Sequence, residues 1–233
     1  VAEVSKWNIP DDLRNVWDRK CVKRTVMTIP YNAKPFSNRT YIRDALEEKN
    51  ITIGKEDLTI TVKAVRMAMQ NVVPGPMSVM KWIETEVARV ISSEVLEWVT
   101  PSGFVVIQRL MKRETQTVRL QLLGRCELEV ASETDEVSIT RHKAATAPNL
   151  IHSLDASLLH LSATRFNAPI ALIHDSVLCR ATDMTTLSNL VRETYMDLFA
   201  KQDYLTKFAQ QIGATTEPPI IGDLEPSTVI DST

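Results

Sequence analysis

The sequence predicts an α+β fold, and three changes of period along the chain predict it. From Leu13 to Ile91 apolar residues recur at helical spacing. From Leu96 to Val130 the alternation tightens towards a period of two, with Pro101-Ser-Gly103 as turn residues between extended runs. From Leu150 the helical period returns, broken by two short apolar runs on either side of His174-Asp175-Ser176. Helices and strands are thus segregated along the chain, as in α+β folds.

Residues 1–10 read as irregular and end at Pro10. Asp11 or Asp12 is placed to cap a helix running through Leu13, Val16 and Trp17 and on past Val26. Pro30 should end or kink it, because it has no N–H for the Val26 carbonyl. Asn32 suits the left-handed turn after a helix. Residues 40–49 and 58–70 read as further helices, Val73-Pro-Gly-Pro76 as a break, and 77–91 as an amphipathic helix. Residues 96–100 and 104–110 read as strands. Residues 115–130 read as a half-buried two-stranded ribbon about Gly124. Its polar face carries Thr117, Arg119 and Gln121 on one arm, and Arg125, Glu127 and Glu129 on the other. Residues 145–149 read as a loop before a helix at 150–166 that bears His152 and His160. A hairpin at 169–180 then holds His174-Asp-Ser176 at its turn. Asp183 or Thr185 caps a long helix at 187–201, a shorter helix follows, and 217–233 is a Pro-containing tail.

Apolar residues make up 44% and charged residues 24%, which suits a packed globular chain and argues against a disordered one. A net charge of −2 does not by itself point to nucleic acid, although cations clustered in a cleft leave no mark on the sum. Cys21, Cys126 and Cys179 are too scattered for a zinc pattern or a disulfide framework, and the four histidines lack metal-ligand spacing. No apolar run reaches the ~18 residues of a membrane span, so no membrane partner is expected.

Arg19, Lys23, Met27 and Tyr31 lie four residues apart. On a helix each such step drifts by only ~40°, so the four form one stripe. Two cations suit phosphate oxygens, and a thioether with a phenol suits a base and a sugar. The plainer reading is a partly exposed helix whose stems pack over a core.

The pattern Arg-xxx-Lys-xxx-Met-xxx-Tyr resembles the nucleotide-binding helix in the fingers of the bacteriophage-type single-subunit RNA polymerases. His174-Asp-Ser176 resembles that family's second metal-binding motif. Trp98-Val-Thr-Pro-Ser-Gly-Phe104 and Ala147-Pro-Asn-Leu-Ile-His152-Ser resemble two further stretches of it, in the family's order. The resemblance implies part of a right-hand polymerase. Residues 1–150 would be fingers, with the promoter hairpin region at 95–135, and 151–233 the last part of the palm. It implies Asp175, Lys23 and Tyr31 as catalytic groups, with Asp175 a ligand of Mg²⁺. Arg19 and Lys23 would face the triphosphate, Lys23 aiding release of pyrophosphate. Met27 and Tyr31 would sit by base and sugar, where the Tyr31 hydroxyl can sense a 2′-OH. His152 would lie near the new base pair, with a satisfied helix histidine as its plainer reading. His174, Ser176 and Arg24 would be close to the site. Thr117, Arg119, Glu127 and Glu129 would read promoter bases in the major groove, with a solvated Arg/Glu face as the alternative.

The partners implied are duplex promoter DNA, the template strand, nascent RNA and ribonucleoside triphosphates. The family's first metal-binding motif, with another catalytic Asp, matches nothing here. The chain is therefore expected to be a piece of a larger polymerase, to need its missing N-terminal part, and to be inactive alone. The alternatives are a fragment of a family A DNA polymerase and a non-catalytic nucleic-acid-binding remnant. Met27 and Ser176 favour RNA synthesis, since the DNA enzymes typically have an aromatic residue and Glu there. The expected location is the cytoplasm of a phage-infected host, ahead of mitochondria.

Overall fold

A computed structural model describes residues 1–7, 9–29, 31, 33–91, 95–120, 126–220, 222 and 225–230, apart from the side chains of Asp12, Leu120 and Cys126. The expectations resting on Pro30, Asn32, Gln121, the turn about Gly124 and Arg125, and on the Asp12 cap, lie outside what is described. Among the described residues, helices and three separate two-stranded antiparallel sheets make up the fold, which is α+β. The chain divides into two compact units, one built on Val1–Ile83 and the other on Glu84–Pro218.

The first unit is helical. Helix α1 covers Asp11–Arg14 and α2 Arg19–Thr28, where the sequence suggests one continuous helix. Asp18 separates them. Its backbone is extended, and its carboxylate accepts from the N–H groups of Lys20 and Cys21. A side chain that satisfies first-turn donors starts a new helix rather than continuing an old one. Helix α1 has Pro10 at its N-cap and no side-chain cap. Lys49 fixes the junction by donating to the Val16 carbonyl at 2.8 Å and pairing with Asp18 at 2.8 Å. Its ammonium holds the Asp18 carboxyl down at about 2.

Helix α3 covers Pro35–Glu47 and starts earlier than its periodicity suggests, because Pro at the first helical position has its φ preset. Helix α4 covers Lys55–Val72, with Glu56 and Asp57 favourable in its first turn. Helix α5, Pro74–Val90, follows after Val73 alone. The expected break at 73–76 therefore shrinks to one residue, since both prolines fall in the first turn, where no N–H is needed. Cys21, Val22, Ile42, Leu46, Val62 and Val65 are among the buried side chains that join α2, α3 and α4 in one core.

In the second unit, β1 (Leu96–Val99) and β2 (Val105–Gln108) form a hairpin. Gly103 turns it at φ 83°, a region open to glycine. Strands β3 (Met111–Leu120) and β4 (Cys126–Val137) form a longer ribbon than expected. The ribbon is also not half-buried: 112–119 and 127–133 are exposed on both faces. Helix α6 runs unbroken over Ile139–Arg165, capped by Ser138, so the loop expected at 145–149 is helix with Pro148 inside it. Contacts on both sides of Pro148 hold that helix. His142 has its ring nitrogens 3.0 Å from the carbonyls of Ser138 and Gln108, and the Gln108 side chain joins Thr146 at 2.9 Å and Asn149 at 2.7 Å. These fixed points outweigh one lost backbone bond.

Strands β5 (Ile170–Ile173) and β6 (Ser176–Cys179) form the third hairpin. Helix α7 covers Met184–Ala200, with Asp183 at its N-cap but no side-chain cap bond. Helix α8 covers Tyr204–Ile212 and ends at Gly213, whose φ of 69° lets the Ala214 N–H reach back to Ala209. Trp98 seats the first hairpin, stacking edge-on against Phe208 and donating to the Ser153 hydroxyl at 3.2 Å. Glu86 is fully buried on α5. It accepts from the Thr215 N–H at 2.6 Å and from the Thr216 hydroxyl at 2.8 Å, and pairs with Arg89 at 2.6 Å. Burial pushes its carboxyl up, but these partners outweigh burial and hold it at about 2.

Candidate nucleotide site and nucleic-acid ribbon

Helix α2 sorts its residues by face. Cys21, Val22 and Thr25 are buried, whereas Arg19, Lys23 and Met27 point outward. Helical spacing produces this, since i, i+4 and i+8 share one side. Tyr31 is not on the helix, which ends at Thr28. A tight turn carries it: the N–H groups of Tyr31 and Ala33 both donate to the Thr28 carbonyl, at 3.1 and 3.0 Å. Met27 is 56% exposed and Tyr31 44%, values a core face would not tolerate.

The cations of α2 divide into two kinds. Lys20 pairs with Glu48 at 2.6 Å. Arg24 lies 3.9 Å from Asp44 and stacks over the Tyr41 ring at 4.3 Å. Arg24, expected near phosphate, is thus engaged by α3. Arg19 and Lys23 have no ion-pair or hydrogen-bond partner among the described residues. They border a cavity of about 460 Å³ between α2 and α4, whose wall includes Val22, Val26, Val65 and Met69. One side of the stripe is therefore apolar, and its crest carries two cations one turn apart without counter-ions among the described residues.

In the second unit, His174 and Asp175 form the two-residue turn between the paired Ile173 and Ser176. His174 takes φ 55°, unusual for a residue with a side chain, and Asp175 stands exposed beside it. The carboxylate is open to solvent, with the Ser176 hydroxyl 3.5 Å away. Among the described residues no group of three or more His, Cys, Asp or Glu side chains converges as a metal site. Asp175 is of the kind a hard divalent cation takes, but it supplies one ligand and not a cage.

His152 lies on the exposed side of α6. It lines a cavity of about 300 Å³ with Asn149, His160, Ser102 and Phe104. The Ser102 hydroxyl lies 3.3 Å from the His160 ring, which ties the first hairpin's turn to α6.

On the ribbon, Thr117 pairs with Glu129 and Arg119 with Glu127, so all four residues share one face. Arg119 donates to Glu127 at 3.0 Å, and Arg113 to Glu133 at 3.3 Å on the same face. Val118 and Leu128 pair on the opposite face. At the root, Arg141 donates to the Met111 carbonyl and to Glu133, fixing the ribbon to α6. Sequence reading missed Asp18, Arg66 and Arg141 as organising residues. A cap signal three residues before Cys21 could have revealed Asp18; the other two act through contacts at long sequence range.

Residues 5–224 match the family described as DNA-dependent RNA polymerase. Over 94% of its length the chain is 31% identical to DNA-directed RNA polymerase 2, chloroplastic/mitochondrial, of Arabidopsis thaliana, of which it spans 23%. It is 30% identical over 93% of its length to DNA-directed RNA polymerase 1, mitochondrial, of the same plant, again spanning 23%. It is also 30% identical to DNA-directed RNA polymerase 2A of Nicotiana tabacum, with 96% of this chain and 72% of that protein covered. The chain thus spans about a quarter of the length of the two Arabidopsis relatives. Their names correct the expected location: these are chloroplastic or mitochondrial enzymes, which overturns the cytoplasm of a phage-infected host. The family A DNA polymerase alternative falls with the same match. With nearly every residue inside the matched span, the chain belongs to the phage-type, single-subunit DNA-dependent RNA polymerase family.

Proposed function

We propose that this chain supplies the nucleotide-binding helix, the promoter-reading ribbon and one metal-binding carboxylate of an organellar RNA polymerase. Residues 1–150 act as fingers, with the promoter region at 95–135, and 151–233 as the last part of a right-hand palm. The observation that carries the reading is the pair Arg19 and Lys23, without counter-ions among the described residues, beside exposed Met27 and Tyr31.

In template-directed synthesis a 3′-hydroxyl attacks the α-phosphorus of a ribonucleoside triphosphate, and pyrophosphate leaves. Catalysis of such a step is mostly positioning and charge neutralisation. Arg19 and Lys23 bind the triphosphate tail, and Lys23 donates a proton as pyrophosphate departs. Met27 gives the base an apolar seat. The Tyr31 hydroxyl faces the sugar, and His152 faces the new base pair in the minor groove. Asp175 holds Mg²⁺ together with a carboxylate from the upstream motif. The ion, when bound, neutralises phosphate charge and orients the reacting oxygens. Thr117, Arg119, Glu127 and Glu129 read promoter base edges, and the partners are promoter duplex, template, RNA and ribonucleotides.

The test is primer extension by the complete polymerase and by this chain alone. Asp175→Asn in the complete enzyme should lower the rate by several orders of magnitude, and the isolated chain should make no RNA. A near-normal Asp175→Asn enzyme, or full activity from the isolated chain, refutes the reading. A complete polymerase that binds promoter but makes no RNA would favour a non-catalytic remnant.

A further inference from the structure

Arg66 holds the turn that carries Tyr31 from outside. Arg66 lies half-buried on α4, and its Nη1 donates to the Ala33 carbonyl at 2.9 Å and to the Asn38 Oδ1 at 2.8 Å. Asn38 is fully buried in the first turn of α3, and its N–H reaches the Lys34 carbonyl. Ala33 in turn donates to Thr28, the last residue of α2. Ala33 is therefore tied back to Thr28 by its own N–H and held at its carbonyl by a guanidinium that also reaches α3. Tyr31 sits between those two residues. A charge-assisted bond to a carbonyl is worth more than a neutral one, and its loss leaves two acceptors unpaired.

We propose that Arg66 is a positioning residue for Tyr31 and, through it, a determinant of sugar selection. The inference rests on the reading of Tyr31 as the residue that senses the ribose 2′-hydroxyl. A hydroxyl discriminates between substrates only where it is held, and a displacement of about 1 Å can cost two orders of magnitude. Arg66 touches no nucleotide in this scheme; it fixes the turn from which the phenol projects.

The experiment measures kcat/KM for a ribonucleotide and its 2′-deoxy counterpart on one primer–template, using the complete polymerase. The variants are Tyr31→Phe, Arg66→Met, Arg66→Lys and the double variant Arg66→Met with Tyr31→Phe. Arg66→Met should lower the ribo-to-deoxy ratio by about tenfold. Arg66→Lys should recover part of that ratio, since an ammonium can still donate to Ala33. In the Tyr31→Phe background, Arg66→Met should change the ratio no further, because coupled residues do not add. Equal losses for both sugars, with only the melting temperature moved, overturn the proposal and leave Arg66 as a plain structural contact. An Arg66 effect that persists undiminished without the Tyr31 hydroxyl overturns it as well. If Tyr31→Phe itself leaves the ratio unchanged, the reading of Tyr31 fails first, and the proposal falls with it. Should Arg66→Met fail to fold, Arg66→Lys and Arg66→Gln give the same comparison.

Discussion

Helix α2 and the β3–β4 ribbon both present arginine or lysine to solvent, yet they treat that charge in opposite ways. On the ribbon each described cation has a cross-strand acid: Lys112 meets Glu136, Arg113 meets Glu133 and Arg119 meets Glu127. On α2, Lys20 and Arg24 are paired in the same manner, but Arg19 and Lys23 are not, among the described residues. A surface with unpaired cations attracts any polyanion. A surface whose described cations are all matched, and which carries further carboxylates at Glu114, Glu129 and Asp135, offers a pattern of donors and acceptors without a net pull on a polyanion. The first suits a triphosphate, which is identical in all four nucleotides. The second suits base edges, where the direction of a hydrogen bond matters more than charge.

The largest effect is expected at Lys23. Lys23→Ala in the complete polymerase should lower kcat/KM about 10²–10³-fold for every nucleotide, the scale of losing one charge-stabilising donor. The fall should be the same on a promoter and on a preformed primer–template. A fall of less than about threefold on that scale would mean that the cation is a solvated surface group. Arg119 should behave differently. Arg119→Ala should cost about 1–3 kcal/mol at one promoter base pair and relax preference there, leaving elongation untouched. Initiation rates across all single promoter substitutions give the measurement. Uniform loss at every position would show Arg119 acting on phosphate, as proposed for Arg19 and Lys23, and would erase the distinction.

The smallest effect lies at the N-terminal end of α2, at the Asp18–Lys49 pair. The Asp18 carboxyl is held at about 2, below its ordinary value. A lowered carboxyl stabilises the fold above its unfolded pKa of about 4, and that contribution fades as pH falls towards 2. Asp18→Asn keeps a good helix cap but removes the charge. It should therefore leave stability near neutral pH only slightly lower and flatten the acid limb of an unfolding-versus-pH curve. An acid limb as steep as in the parent chain would mean that the pair is too solvated to matter.

Much of the candidate site was legible because it depends on local spacing. Arg19, Lys23 and Met27 share a side of α2 by helical geometry alone. Asp175 sits at a turn because short apolar runs flank it. Thr117, Arg119, Glu127 and Glu129 share a ribbon face because side chains alternate along a strand. The break at Asp18 was less visible, since Leu13, Val16 and Trp17 keep an apolar pattern on its N-terminal side while the side chain caps the next helix.

The sequence by itself determined the α+β class, the family and the order of the motifs, since each rests on residues close together in the chain. Packing settled which cations of α2 have counter-ions. Lys20 and Arg24 look no different from Arg19 and Lys23 as letters, but among the described residues Asp44 of α3 and Glu48 just after it pair with the first two and not with the second. It also decided that α6 runs through Pro148, because Gln108 and His142 hold the helix on both sides of the missing N–H. Arg66 reached the Tyr31 turn only once α4 had packed beside α3. Each of these depends on groups brought together from distant parts of the chain, where the energy of a contact is set by what lies across it and not by its neighbours in sequence.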